Sequence, residues 1–250
     1  MKKVGFLGFG KIGRALFDEA VEKNLAKPVY IQNIVPVEGV DESVKVIAGY
    51  DEEAYREADL VIECATADAL KQSIEDILKY SDLLMFSVTA FSDDTFEKKA
   101  MELAERYKRH IYIPHGAILG LDGIMDGSGI WEEVSIVTTK NPHSLGRDDT
   151  EKTVVYKGST RGACRAYPRN VNVHAAVALT GIGFDRTQSE IVSDPAVNSN
   201  THIISLKGTG VQMQIQVSSF SEGGVTGKYT PLSACGSLAR ILSDDVIKIV

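Results

Sequence analysis

Cysteine is scarce in this 250-residue chain. The three present, Cys64, Cys164 and Cys235, are an odd number and form no CxxC pair. That argues against a disulfide framework and a cysteine-built metal site, and favours a reducing, cytoplasmic setting. Long apolar runs are also lacking. The first, in MKKVGFLGFG, is interrupted by glycine and is far too short for a bilayer, so no membrane association is expected. There is no basic excess either: the net charge of −7 argues against nonspecific nucleic-acid binding. A small anionic ligand is compatible with that charge, because a local basic group overrides the total. The five histidines are scattered, without i, i+4 spacing or acidic partners, and predict no metal.

What is present is alternation. Apolar runs at 3–9, 28–35, 59–65, 83–90 and 110–114 read as strands. Helical patterns at 11–24, 51–58, 67–80 and 93–109 separate them. Strand–helix alternation requires crossover connections, and right-handed crossovers give a doubly wound parallel sheet of the Rossmann type over residues 1–113. Beyond it the period changes to two, at 132–140, 152–157, 187–193, 202–207 and 211–218. That pattern predicts an antiparallel or mixed sheet with one wet face. An apolar helix at 172–183 interrupts it, so residues 114–230 form an α+β substrate domain. A last helix begins at Pro231, and the segment 231–250 is expected to complete the first domain.

Gly8-Phe9-Gly10-Lys11-Ile12-Gly13 matches G-x-G-x-x-G, directly after a strand and opening a helix. Gly8 permits the tight turn, Gly10 lets the diphosphate of a dinucleotide approach, and Gly13 allows close helix–strand packing. Lys11 and Ile12 supply N–H groups at the helix start. The end of the second strand has Gln32 and Asn33 in place of the usual acid. Neutral amides can bond a ribose hydroxyl or a phosphate ester, so NAD and NADP both stand. Ala65 and Thr66 end the third strand, where ligands of such sheets bind.

Three separated words lie in the second half. They are Ile113-Pro114-His115-Gly116-Ala117-Ile118 with Gly120-Leu121-Asp122-Gly123; Pro168-Arg169-Asn170-Val171-Asn172-Val173; and Asp194-Pro195 with Asn200-Thr201-His202-Ile203. With the glycine turn, they resemble the L-aspartate dehydrogenase family over nearly the whole chain. The resemblance implies NAD- or NADP-linked interconversion of L-aspartate and iminoaspartate, which feeds NAD biosynthesis or hydrolyses to oxaloacetate and ammonia. It implies a homodimer, a split Rossmann domain, cofactor contacts at Ala117 and Asn172, and a catalytic histidine at His202. The family word has serine where His115 stands, and the neighbours of Lys140 and Lys228 are altered.

The residues suit that chemistry. Amine oxidation needs a hydride acceptor, a fixed charge to orient carboxylates and an acid–base group. An unperturbed imidazole titrates near neutral pH, so His202, at the start of a predicted strand, is the candidate acid–base. Lys140, Lys228 and His115 are candidate substrate ligands. His174, on an apolar helix, reads as a structural histidine. Two other readings share these residues: the same fold acting on a different small amino or imino acid, and an NAD(P)-binding sensor without turnover.

Overall fold

The computed structural model describes residues 1–220, 228–243 and 246. Thr226-Gly227 and residues 244, 245 and 247–250 of the expected terminal segment lie outside the described residues. The chain divides into two units. One holds Met1–Pro114 and Ser233–Ile249, the other chiefly His115–Leu232.

The first unit is a six-stranded parallel sheet. Its strands are β1 (Lys2–Leu7), β2 (Ala26–Gln32), β3 (Lys45–Ile47), β4 (Leu60–Glu63), β5 (Asp82–Met85) and β6 (Ile111–Tyr112). They stand in the order β3-β2-β1-β4-β5-β6. This is the doubly wound order that reverses beside β1. The helices α1 (Lys11–Glu22), α2 (Glu52–Glu57), α3 (Ala67–Tyr80) and α4 (Asp94–Tyr107) form the crossovers. In α1 the spacing of Leu16, Phe17 and Ala20 gives one buried stripe. Side-chain oxygens of Asp51, Thr66 and Asp93 cap α2, α3 and α4 by accepting from backbone N–H groups of their first turns.

Several elements differ from expectation. The run 83–90 yields a strand only to Met85, followed by a 3-10 turn over Val88–Ser92. The reason lies in Glu63, which is fully buried. One of its carboxylate oxygens accepts from Ala65 N–H and Ser87 O–H, at 2.8 Å each. The other accepts from the N–H groups of Phe86 and Ser87, at 3.2 and 3.0 Å. The backbone after β5 turns aside to reach this carboxylate.

The second unit is a five-stranded mixed sheet. Its strands are β7 (Trp131–Lys140), β8 (Thr153–Ser159), β9 (Gln188–Ser193), β10 (Ser199–Gly208) and β11 (Val211–Phe220). They stand in the order β11-β10-β7-β9-β8. Only the β7–β9 pair is parallel. Among the described residues this unit holds the α-helices α5 (Leu121–Asp126), α6 (Thr160–Ala166) and α7 (Asn172–Thr180). The first two carry no long periodic pattern, and sequence periodicity misses them. On β7 and β10 alternate residues are buried, including Val134, Ile136, Thr138, Lys140, Asn200, His202, Ile204 and Leu206. α7 is buried nearly all round, as expected for an apolar helix lying under a sheet.

The chain ends in α8 (Tyr229–Leu242). Its Ala234 and Leu238 are completely buried in the core of the first unit, with Val4, Phe6, Leu16 and Ile62.

Replacing Glu63 by leucine leaves its buried donors unmatched. The loss expected is about 2–3 kcal/mol of unfolding free energy, read by denaturant titration, with Ser87→Ala giving a smaller loss.

Candidate active site

The glycine turn follows β1 directly. Gly8 has φ +88°, and its backbone N–H donates to the Gln32 carbonyl at 2.9 Å. A Cβ on Gly8 would lie 2.7 Å from the Ala65 nitrogen, and one on Gly13 would lie 2.8 Å from the Gly8 oxygen. These two glycines are required by the protein's own backbone. Gly10 differs: a Cβ there meets nothing within 4 Å, so its absence leaves an open cradle. Among the described residues no side chain caps the N-terminus of α1, which starts at Lys11 and Ile12. Uncapped N–H groups beside an open glycine suit a diphosphate. This part of the chain therefore fits a dinucleotide.

The neighbouring candidates are committed to structure as well. The Gln32 amide oxygen accepts from the Tyr55 hydroxyl at 2.6 Å. Asn33 accepts from Phe9 N–H at 3.2 Å and donates to the Val35 carbonyl at 3.0 Å, bracing the turn. Ala65 N–H donates to Glu63, and the Thr66 hydroxyl caps α3. Sequence reasoning missed Arg14, which follows the third glycine. Its guanidinium lies 4.6 Å from the Phe9 ring centroid and donates to the Gly39 carbonyl at 3.0 Å and to the Glu38 carbonyl. Arg14 thus fixes the segment after β2 against the glycine turn.

In the second unit the inward face of the sheet gathers polar groups. His202 is the fourth residue of β10, not the first of a strand, because β10 begins at Ser199. It stands directly across from Thr138 of β7. The Thr138 hydroxyl lies 2.8 Å from His202 Nδ1 and 2.6 Å from His174 Nε2. His174 Nδ1 lies 2.9 Å from the Ser189 hydroxyl. His174 is fully buried, and His202 is 3% exposed. The helix bearing His174 thus brings a second imidazole into the network, which its apolar sequence pattern did not indicate.

Lys140 ends β7 on the same face as Thr138, 4% exposed. Its ammonium donates to the Asn170 amide oxygen at 3.3 Å. Among the described residues it meets no carboxylate. Burial lowers its pKa to about 8. Burial, and secondly the Lys140 charge, lower His202 to about 3. His174 is pushed well below the usual imidazole value by burial, then by His202 and Lys140. At neutral pH both rings are therefore neutral.

The remaining candidates are dispersed. Asn172 opens α7 and is half-buried. Ala117 and His115 lie half-buried before α5, with His115 Nε2 3.4 Å from an Asp122 carboxylate oxygen. Lys228 is exposed at the entry to α8, its N–H bonded to the Phe220 carbonyl at 3.3 Å.

Comparison with known proteins reaches both units. Residues 8–114 match the family described as the homoserine dehydrogenase NAD-binding domain, and residues 122–241 match the family described as the C-terminal domain of aspartate dehydrogenase. The L-aspartate dehydrogenase of Archaeoglobus fulgidus is 36% identical over 86% of each chain. That of Methanosarcina barkeri is 30% identical over 97% of this chain and 98% of its own. The chain belongs to the L-aspartate dehydrogenase family. The crystal structure of aspartate dehydrogenase from Thermotoga maritima is similar across 100% of this chain and 99% of that one, with TM-score 0.81 and 27% identity. The fold and the family drawn from the four sequence words thus agree with the comparisons, and NAD or NADP is the cofactor class of this family's N-terminal domain. The kinship spans the strands that carry Thr138, Lys140 and His202, since all three lie within the matched C-terminal domain.

Alanine at Gly8 and at Gly10 should have opposite effects. Gly8→Ala forces backbone contact at positive φ and is expected to lower the melting temperature. Gly10→Ala should melt normally but bind NAD(P)H about 10-fold more weakly or worse, measured by quenching or energy transfer to the reduced nicotinamide.

Proposed function

We propose that the protein oxidises L-aspartate to iminoaspartate with NAD or NADP, or runs the reverse, with His202 as acid–base and Lys140 as the carboxylate ligand. The observation that carries this is the buried ammonium of Lys140, without a carboxylate among the described residues, on the same sheet face as the neutral His202. A buried cation lacking an anion is strongly disfavoured unless a ligand completes it. A substrate carboxylate does so.

The backbone at Gly8, Gly10, Lys11, Ile12 and Gly13 would hold the cofactor diphosphate, with Asn33, Ala65, Thr66, Ala117 and Asn172 as further candidate contacts. The bound nicotinamide supplies a hydride acceptor for the substrate α-carbon. Lys140 fixes a carboxylate and thereby the attitude of that carbon. His202 Nε2 takes a proton from the substrate ammonium, freeing the nitrogen lone pair that forms the imine. Once Nε2 has released that proton to solvent, it can take another from the water that adds to the imine carbon. His202 at about 3 is a weak base in the empty site. A bound carboxylate offsets the Lys140 charge and raises it, so the base strengthens when substrate arrives. His115 and Lys228 are weaker candidates, one beside Asp122 and the other exposed.

A homodimer is part of the same reading. The outward face of the second sheet carries Val137, Thr139, Thr201 and Ile203, all only partly covered, and the exposed Val154. Sedimentation equilibrium should return twice the chain mass; a monomer at micromolar concentration would refute the dimer. The three free thiols suit a reducing compartment, the cytoplasm. No helix among the described residues is long and apolar enough to cross a membrane.

The decisive assay is formation of NADH or NADPH with L-aspartate. His202→Ala is expected to lower kcat about 100-fold or more with cofactor affinity nearly unchanged. Free-enzyme kcat/KM should fall as pH rises through about 8, because Lys140 loses the proton that attracts the carboxylate. Tight NAD(P)H binding without turnover on any small amino acid would favour a sensor instead, and turnover on another amino or imino acid would move the substrate but not the site.

A further inference from the structure

The polar row behind His202 extends farther than the histidine pair. The Ser189 hydroxyl lies 2.9 Å from His174 Nδ1 and 2.8 Å from the Thr160 hydroxyl. The Thr160 hydroxyl lies 3.1 Å from the Thr187 carbonyl, which also accepts from Thr160 N–H at 2.9 Å. The members are buried: Thr160 and His174 at 0%, Thr138 and Ser189 at 1% and His202 at 3% exposure. They come from β7, β9, β10, α6 and α7. One continuous file of polar atoms therefore runs from a backbone carbonyl to His202 Nδ1.

We propose that Thr160, Ser189, His174 and Thr138 are positioning residues that fix the tautomer of His202, so that Nδ1 carries the proton and Nε2 presents a lone pair.

Proton counting gives the direction. Each hydroxyl has one hydrogen, and each neutral imidazole has one N–H. A carbonyl can only accept. If Thr160 O–H donates to the Thr187 carbonyl, Ser189 O–H must donate to Thr160. Ser189 then accepts from His174 Nδ1–H, and His174 Nε2 accepts from Thr138 O–H. Thr138 in turn accepts from His202 Nδ1–H. Every contact in the file is then a hydrogen bond, and Nε2 of His202 is left as a base. The reverse direction makes all the side-chain bonds but gives up the one from Thr160 O–H to the carbonyl. Its last member would be His202 Nε2–H, an acid without a lone pair to receive a proton. A mixed arrangement either sets two lone pairs against each other across one contact or makes one hydroxyl accept from both sides and leaves its own hydrogen without an acceptor in the file, so the file is most fully bonded when it runs one way throughout. The tautomer of an imidazole is set by the bond its other nitrogen makes. Here that bond is set four links away, at a peptide carbonyl.

The direction also serves the charged state. When Nε2 takes a proton, His202 becomes an imidazolium whose Nδ1–H still faces the Thr138 oxygen. No hydroxyl has to turn during proton transfer, so the acceptor is oriented in advance.

This rests on His202 being the acid–base of the proposed reaction, but the tautomer is measurable without substrate. Long-range proton–nitrogen NMR on intact protein labelled with nitrogen-15 histidine, at neutral pH, should show Nδ1–H with unprotonated Nε2 for both His202 and His174. Thr160→Val removes the hydroxyl that anchors the file without touching either ring. Ser189 O–H then turns to His174 Nδ1, and both histidines should convert to Nε2–H. Thr138→Val should release His202 alone and lower kcat about 10-fold or more, with NAD(P)H affinity unchanged, and Thr138→Ser should restore the tautomer and the rate. Should aspartate not be turned over at all, the nitrogen shifts still decide the relay while the reaction assignment fails separately. Nε2–H on His202 in the unaltered protein, or a tautomer that Thr160→Val leaves unmoved, would overturn the proposal.

Discussion

Lys140 carries an ammonium into the protein, where its only partner among the described residues is a neutral amide oxygen. Such a group persists only where the backbone leaves it no way out. β7 supplies that constraint, because it lies inside the sheet with β10 on one side and β9 on the other. Lys140 pairs with Ser193 of β9, and its neighbour Thr139 pairs with Thr201 of β10, so the strand sets the face the lysine takes. The same strand places Thr138 two residues away, on the same face, directly opposite His202. The period of a strand thus joins a buried positive charge to the histidine pair by geometry alone.

That arrangement governs the electrostatics. Two imidazoles and an ammonium share one buried face and cannot all be charged. The ammonium keeps its proton and the rings surrender theirs, which is the order the pKa shifts follow. A negative ligand reverses part of this by neutralising the cation. In the proposed reaction, substrate affinity and His202 basicity are coupled through Lys140.

Much of this was legible in the residues. The strand–helix alternation and the glycine turn led to the parallel sheet, because crossover handedness and turn sterics leave few alternatives. The period-two stretches led to the mixed sheet. The site was legible only in part. His202 and Lys140 were found as residue types in recognisable words, but nothing local reveals that they lie on one inward face. That depends on the register between β7 and β10, which are 64 residues apart at the Thr138–His202 contact. His174 was read as structural because its helix is apolar, yet that helix is buried and its one polar ring has to find partners. Glu63 was hidden inside an apolar strand pattern, where a carboxylate is tolerated only because four donors arrive from later in the chain. Arg14 lay in plain view after the third glycine, and its partners in the 38–39 segment carry no periodic signal.

The placement of α8 bears on how the molecule is made. Its Ala234 and Leu238 sit among side chains of β1, α1 and β4, and the Cys235 thiol points to the Ala15 carbonyl across 220 residues of sequence. During synthesis, the front of the chain emerges with an oily seam uncovered. The whole second unit must leave the ribosome before the plug for that seam exists. A chain cut short before α8 therefore leaves the side chains that meet Ala234 and Leu238 uncovered.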